Sequence, residues 1–320
     1  MYKLCDKREE TQEMRMCVVN SIIELMKEND KVLALDADLA SASGFSKIEK
    51  NYPRQFIQCG IAEANMVGVS AGISLLGYIS FIHSFGPFVS RRVFDQVFVS
   101  GAYADTNINI YGSDPGFCVA QNGGTHTTWE DVALMRTIPH AIICDAADGT
   151  QMKWIIKNFA KLHGIHYVRG NRKPVRNIYT ADSEFEFGKG NILKKGTDVL
   201  VISAGQIVSD ALDASEELDK NNISVEVIDM FTIKPIDKEL ILNEAKGKKI
   251  IITFENHSII GGLGSAVSEV LSDNGVGIKL KRMGVDEQFG QVGTAEWLQK
   301  EYHLTKDDLI KEIKKFSEIE

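Results

Sequence analysis

The chain has 320 residues, 44% of them hydrophobic and 25% charged, with a formal net charge of -8. That length predicts about two domains at roughly 100–200 residues each, with apolar material for full cores. The acidic balance argues against a nucleic-acid partner, which would select a basic face, yet leaves room for a local basic pocket.

In chain order, helical periodicity starts near Glu13 and runs to Asn29, and an apolar strand follows at Val32–Leu35, ending in Asp36-Ala37-Asp38. A short strand at Phe56–Gln58 precedes a small-residue helix, Ile61–Leu76. The pattern continues with a strand at Tyr78–Ile82, a helix at Val89–Ala102 and a strand at Ile108–Tyr111, then a glycine-containing loop to Thr127. Next come a helix at Trp129–Met135, a strand at His140–Asp145, a helix at Gly149–Leu162 and a strand at His166–Arg169. The polar, proline-containing stretch Asn171–Ser183 lacks a period and marks a boundary. Beyond it strands at Asp198–Ser203, Ser224–Asp229, Lys249–Glu255 and Gly277–Met283 alternate with helices at Gln206–Asn221, Asp237–Ala245 and Gly264–Ser272. The last helix, Lys306–Phe316, has alternating charges and reads as a solvated face. The expected architecture is α/β, two domains each built on a parallel sheet: 1–175, a linker at 176–190, and 191–320.

Five cysteines at irregular spacing, with no CxxC pair, predict a reduced, cytosolic (cytoplasmic) chain with buried thiols rather than a disulfide framework or zinc site. The charged N-terminal stretch has no apolar core of the kind a signal peptide needs. No apolar run approaches the ~18–20 residues that span a bilayer, so no membrane partner is expected.

In parallel sheets ligands gather beyond the carboxyl ends of strands, and the distinctive residues fall there. DADLASAS, CGIAEANMVGVSAGISLLG, HSFGPF and NGGTHTTWEDVALMR, in that order and spacing, resemble the pyrimidine-domain motifs of the transketolase family. ENHSIIGGLGSAVSEVL followed by RMGVDEQFG is similar to that family's C-terminal domain. The resemblance covers nearly the whole chain and implies thiamine diphosphate as cofactor. The family's metal-binding run, a GDG-type motif followed by Asn, has no counterpart in this sequence. The expectation is therefore a split transketolase in which a separate, diphosphate-binding N-terminal subunit holds the Mg²⁺. Closed twofold symmetry leads to two copies of each chain.

Glu63 stands one turn into a small-residue helix, where the helix macrodipole by itself would accommodate a carboxylate. The resemblance assigns it instead to N1′ of the aminopyrimidine, as the catalytic acid–base group. It also implies that Phe85 and Phe88, otherwise ordinary core aromatics, wall the aminopyrimidine, and that Asp38, otherwise a helix cap, lines the cofactor pocket. Arg91 stands near the place of the family's further aromatic residue. His126 follows two glycines, a loop suited to close approach of a ligand. By resemblance it contacts the donor's first hydroxyl and carbonyl oxygens. Arg15 and Arg169, which read locally as salt-bridge residues, match two arginines for a terminal phosphate. Two departures fall on the substrate side. Asn122 stands where the family has Asp, and Asp114 where it has a phosphate-binding His, with Ala42 at a common Ser position. They imply either a tail or sugar unlike the usual ketose phosphates, with a sulfonated sugar as one candidate and a branched or dephosphorylated sugar as another, or an ordinary transketolase in which a neighbouring side chain replaces the lost His. Glu255, His257 and Gly261–Gly264 read as an anion site at a helix start or as packing against a partner, without a catalytic role.

The function implied is transfer of a two-carbon ketol unit from a ketose to an aldose. The alternatives are a 2-oxoacid dehydrogenase β-type subunit and a catalytically degenerate regulatory subunit. His126 and the arginines weigh against the first, and the retained Glu63, Phe85 and His126 against the second.

Overall fold

The protein was analysed as a computed structural model that describes residues 1–317. In chain order the strands begin with β1 (Glu10–Glu13), β2 (Val32–Asp36), β3 (Phe56–Gln58), β4 (Ile79–Phe85), β5 (Ile108–Ser113), β6 (Ile142–Asp145) and β7 (Ile165–Gly170). They continue with β8 (Pro174–Arg176), β9 (Asn191–Lys194), β10 (Val199–Ser203), β11 (Val225–Asp229), β12 (Thr232–Lys234), β13 (Ile250–Ser258) and β14 (Lys279–Val285). Strands such as VLALD of β2 and VLVIS of β10 are buried at every position, the signature of a sheet covered by helices on both faces.

The first sheet has the order β12-β6-β7-β5-β4-β2-β3, and the second β14-β13-β10-β11-β9. Both are parallel except at one edge: β12 runs antiparallel to β6, and β9 antiparallel to β11. A small antiparallel pair, β1 with β8, closes the N-terminus onto the segment that leaves the first sheet. β12 lies in sequence well past the expected linker, yet it completes the first sheet. The chain therefore crosses back between the two units, and the boundary between them is not a single cut.

The expected helices form, most of them shortened at the ends, but Val89–Ala102 is not one helix. Gly86–Val89 makes one turn, Arg91–Val93 a tight turn, and Val97–Tyr103 a wide π-helix. The backbone leaves the helical region at Ser90 (φ -120°, ψ -87°), whose hydroxyl donates to the Gly86 carbonyl at 2.7 Å, and this interrupts the regular ladder. The last helix, Lys306–Ser317, is not simply a solvated face: Leu309 and Ile313 are fully buried against the helix Val208–Asp219. Among the described residues none of the five cysteines forms a disulfide, and only Cys17, Cys118 and Cys144 are buried; Cys5 and Cys59 are half-buried. No helix is long and apolar enough to cross a membrane among the described residues.

The units meet through buried polar groups. Asp148 caps the helix Gly149–Phe159 by accepting from the Gln151 N–H, and its other oxygen accepts from the N–H groups of Ile178 and Tyr179 at 2.8 Å each. Asp229, at the end of β11, accepts from the Tyr179 hydroxyl at 2.5 Å and the Gln151 amide at 2.7 Å. Burial pushes the Asp229 carboxyl up to about 7, against the lowering effect of these hydrogen bonds. The folded protein therefore holds the Asp229 proton more tightly than the unfolded chain. The stability that this contributes is present below the unfolded value near pH 4 and is lost as pH rises through about 7. Urea unfolding of the wild type and Asp229→Asn at several pH values tests this. The wild type's stability relative to the variant should shrink between pH 5 and pH 8, and a constant difference would refute the assignment.

Candidate active site

The carboxyl ends of β2, β4, β5 and β7 point to one side of the first sheet and present the candidate residues there. Glu63 is the first residue of the helix Glu63–Ser74 and is only 4% exposed. A buried carboxylate needs a partner, and the Arg92 guanidinium supplies one, donating to Glu63 Oε1 at 2.6 Å. Arg92 also stacks over the Phe88 ring, 3.8 Å from its centroid. Arg91, the residue expected here, instead donates to Glu130 at 2.6 Å. The tight turn at Arg91–Val93 decides this, because adjacent residues in it point in different directions.

Phe85 ends β4 and Phe88 follows in the first turn after it. Their rings stand edge to face, 6.2 Å apart, and the His126 ring meets both edgewise, at 5.5 Å from Phe85 and 5.1 Å from Phe88. The Thr125 hydroxyl lies 2.9 Å from His126 Nδ1. Burial, with the Arg92 charge adding to it, lowers the His126 pKa below its ordinary value near 6.5. The imidazole is thus neutral at pH 7. The structure therefore gathers Glu63, Phe85, Phe88 and His126 around Arg92. Asn122 lies exposed in the same loop as His126. Asp38 is exposed beyond β2, in a left-handed conformation (φ 62°), and its N–H donates to the Gln58 side chain at 2.8 Å. It caps no helix.

A second group lies between β2, β4 and β5. The buried His83 ring bridges Asp36, 3.0 Å from Nδ1, and Ser113, 3.0 Å from Nε2. Asp114 follows Ser113 with φ 53° and is 2% exposed. Its carboxylate accepts from the Arg172 backbone N–H at 2.9 Å and from Arg172 Nε. Burial raises the Asp114 pKa, with Arg172 opposing. The Arg172 guanidinium sits 4.7 Å over the Phe85 ring centroid. Arg15, in the first turn of the helix Met14–Glu28, donates to Glu13 at 2.8 Å and to the Ala42 carbonyl at 2.8 Å. The Tyr111 hydroxyl, buried beneath these residues, has no hydrogen-bond partner among the described residues. Burial pushes its pKa up, Asp114 adds to this, and Arg172 and Arg15 oppose it.

Arg169 is elsewhere. It ends β7 fully buried, with Nε 3.3 Å from Asp131 and 3.7 Å from Asp145, and Nη2 donates to the Asn256 carbonyl at 2.7 Å. The guanidinium beside Asp114 and Phe85 belongs to Arg172, three residues later. Of the two readings of the glycine-rich stretch, the structure overturns the anion site. The α-helix Leu263–Asp273 has its N-terminus filled by Glu255 of the same chain, which accepts from Leu263 N–H at 2.6 Å and Gly264 N–H at 2.8 Å. Gly261, with φ 78°, packs against Ala133 of this chain, where a Cβ would lie 2.5 Å from the Ala133 Cβ.

Sequence reading missed Arg92, Arg172, His83 and Asp36. Arg92 and Arg172 carried a weak signal, since each is an arginine within three residues of one that was chosen. Asp36 and His83 open the motifs DADLASAS and HSFGPF, but neither carried a role of its own in the sequence reading.

Known proteins place this geometry. Family models described as "Transketolase, pyrimidine binding domain" and "Transketolase, C-terminal domain" match residues 10–177 and 188–309. The chain is 40% identical to the 6-deoxy-6-sulfo-D-fructose transketolase subunit of Clostridium sp. (strain MSTE9), over 93% of this chain and 92% of that protein. It is 33% identical to a subunit of the apulose-4-phosphate transketolase of Phocaeicola vulgatus, over 94% and 96%. A solved structure described as "Split gene transketolase, inactive beta4 tetramer" superimposes with a TM-score of 0.87 at 36% identity, covering 94% of this chain and 97% of that one. The chain belongs to the transketolase family, whose chemistry depends on thiamine diphosphate. Within that family it is the subunit of a split transketolase that carries the pyrimidine-binding and C-terminal domains.

The two arginines should separate in urea unfolding of the full chain. Arg169→Leu leaves Asp131 and Asp145 buried without their counter-charge, so a loss of about 3–5 kcal/mol is expected. Arg172→Gln should cost clearly less, because the backbone N–H of residue 172 still donates to Asp114 and the side chain is partly exposed. Equal losses would contradict this division of roles.

Proposed function

We propose that this chain supplies the proton-handling and sugar-reading half of a ketol transfer, and that its donor is a ketose with a singly charged tail. The diphosphate half of the site and its Mg²⁺ belong to a partner subunit, with two copies of each chain in a cytoplasmic enzyme. The name of the solved relative, an inactive tetramer of β chains, supports a dependence on a second subunit. Convergence of a buried carboxylate, two aromatic edges and a neutral imidazole carries the reading. This donor set fits a planar aminopyrimidine, which needs an apolar wall and a carboxylate at a ring nitrogen.

When bound, thiamine diphosphate supplies the carbanion nucleophile and the electron sink of the reaction. Glu63 holds a proton on the aminopyrimidine ring, and Arg92 keeps that carboxylate oriented. Phe85 and Phe88 exclude water from one face of the site. His126, neutral at pH 7, accepts a proton from a donor hydroxyl or donates at the carbonyl oxygen. Asp38 borders the cofactor side, and Asn122 stands near the sugar hydroxyls. Arg15 and Arg172 face the tail, with Asp114 beside them; Arg172 takes the place first given to Arg169.

Charge balance sets the tail preference. Arg172 is opposed by Asp114 and Arg15 by Glu13, so two positive charges meet two negative ones. A second negative charge on the ligand gains little net attraction in such a site, yet it raises the cost of leaving water. A sulfonate, with one negative charge and oxygens for both guanidiniums, fits better than a phosphate dianion. The similarity to a sulfofructose transketolase subunit supports this choice.

Two measurements on the reconstituted enzyme test these assignments. In Glu63→Gln, Arg92 keeps an oxygen acceptor, so normal folding is expected with turnover at least about a hundredfold lower. Near-native exchange of the cofactor's C2 hydrogen would refute the role of Glu63. For the tail, kcat/KM is compared for fructose 6-phosphate, xylulose 5-phosphate and 6-deoxy-6-sulfofructose. The wild type should favour the sulfonate, and Asp114→His should shift preference towards the phosphates. A wild type that prefers phosphates, with no gain in Asp114→His, removes the charge-balance argument.

A further inference from the structure

The loop between β5 and the helix Asp131–Arg136 carries Asp114, Asn122 and His126, and it belongs to the first sheet. Its conformation is nonetheless set from the other domain, at both ends. At the start of the loop, Asn256 of β13 donates to the Pro115 carbonyl at 3.0 Å and accepts from the Phe117 N–H at 3.1 Å. A Cβ at Gly116 would lie 2.0 Å from Asn256 Oδ1, so only glycine admits this clamp. The Asn256 carbonyl is itself fixed by buried Arg169. At the tip, the segment that follows β14 presses on the loop from outside. A Cβ at Gly124 would lie 2.3 Å from the Gly290 carbonyl oxygen, and one at Gly123 would lie 2.6 Å from Val292. A Cβ on Gly290 would in turn meet the Thr127 hydroxyl at 2.3 Å. The Tyr302 hydroxyl holds this outer segment by donating to the Phe289 carbonyl at 3.0 Å. Past the tip, just before the helix Asp131–Arg136, the Ser258 N–H donates to the Trp129 carbonyl at 2.9 Å.

Glu63 has no such dependence. Its helix, its Arg92 partner and the Phe88 ring all belong to the first domain. We propose that the C-terminal domain is the template that positions His126, with Asn256 and Gly290 as positioning residues for the donor-reading half of the site and no influence on the Glu63 half. The kinetic consequence rests on the reading of His126 as a donor-binding group. The positional claim does not.

The experiment uses Gly290→Ala, which pushes on Thr127, and Asn256→Ala, which removes the clamp at the other end. His126 lies edgewise on two phenylalanine rings, so ring currents make its imidazole resonance a position gauge. That resonance is followed in the histidine-labelled full chain and assigned with His126→Gln. In the enzyme reconstituted with its partner, donor kcat/KM and cofactor C2-hydrogen exchange are measured on the same variants. The His126 resonance should move in both variants, donor kcat/KM should fall about tenfold to a hundredfold, and C2 exchange should stay at the wild-type rate. A His126 resonance unmoved in both folded variants overturns the proposal, and so does loss of C2 exchange in step with ketol transfer. If the resonance moves while donor kcat/KM holds, the template role stands and the assignment of His126 to the donor fails. Should Asn256→Ala fail to fold, Gly290→Ala decides alone, because its change lies in a surface segment.

Discussion

A guanidinium stays ionised even in a protein interior, where it is costly unless counter-charge stands beside it, and Arg169 is fully buried. Burial alone would weaken its hold on the proton, but Asp131 and Asp145 outweigh that and keep it charged. The constraint reaches far, because the three groups come from three places: the end of β7, the start of the helix Asp131–Arg136 and the end of β6. The Asn256 carbonyl brings in a fourth, the end of β13 in the other domain. Countering the charge of one buried cation therefore ties together two strand ends, one helix and the second domain.

The same interior shows how neighbouring groups are arranged around that cation. His257, pushed by burial down to about 4, is neutral; it donates from Nδ1 to the Ser258 carbonyl and accepts at Nε2 from the Ala133 N–H. A second cation beside Arg169 is thereby avoided. Glu255, pushed by burial up to about 7, lies against the N-terminus of the helix Leu263–Asp273, whose N–H groups and dipole compensate its charge. The helix start that reads in sequence as an anion site or a packing surface is thus satisfied from within the chain, and the contact there has one polar arrangement rather than many apolar ones.

Nearer the surface, the logic is reversed. Glu63, Asp114 and Arg15 are each paired, but their partners are partly exposed arginines or a flanking carboxylate, so ligand atoms can compete for them. The site is divided accordingly. One half is a carboxylate with an aromatic wall and is local to the first sheet. The other is the His126 imidazole with the charge-paired cluster of Asp114, Arg172 and Arg15, and His126 and Asp114 lie on a loop that both domains contact.

The sequence by itself determined the fold class and the order of most elements, and its motifs pointed to Glu63, Phe85, Phe88 and His126, which the structure brings together. Apolar runs in strands and glycines before a ligand-approaching loop are local signals, and the spacing between motifs survives in the linear order. It did not determine which of two nearby arginines faces the pocket. Arg91 against Arg92, and Arg169 against Arg172, differ only in the direction each side chain takes from a turn or a strand end. That direction is set by carboxylates distant in sequence: Glu130 for Arg91, Glu63 for Arg92, Asp131 and Asp145 for Arg169, and Asp114 for Arg172. The return of β12 to the first sheet and the buried face of the last helix were likewise beyond local pattern. Each exists only because a surface far along the chain is there to be covered. Charge pairing and burial are properties of the assembled interior, so the tertiary structure alone decided them.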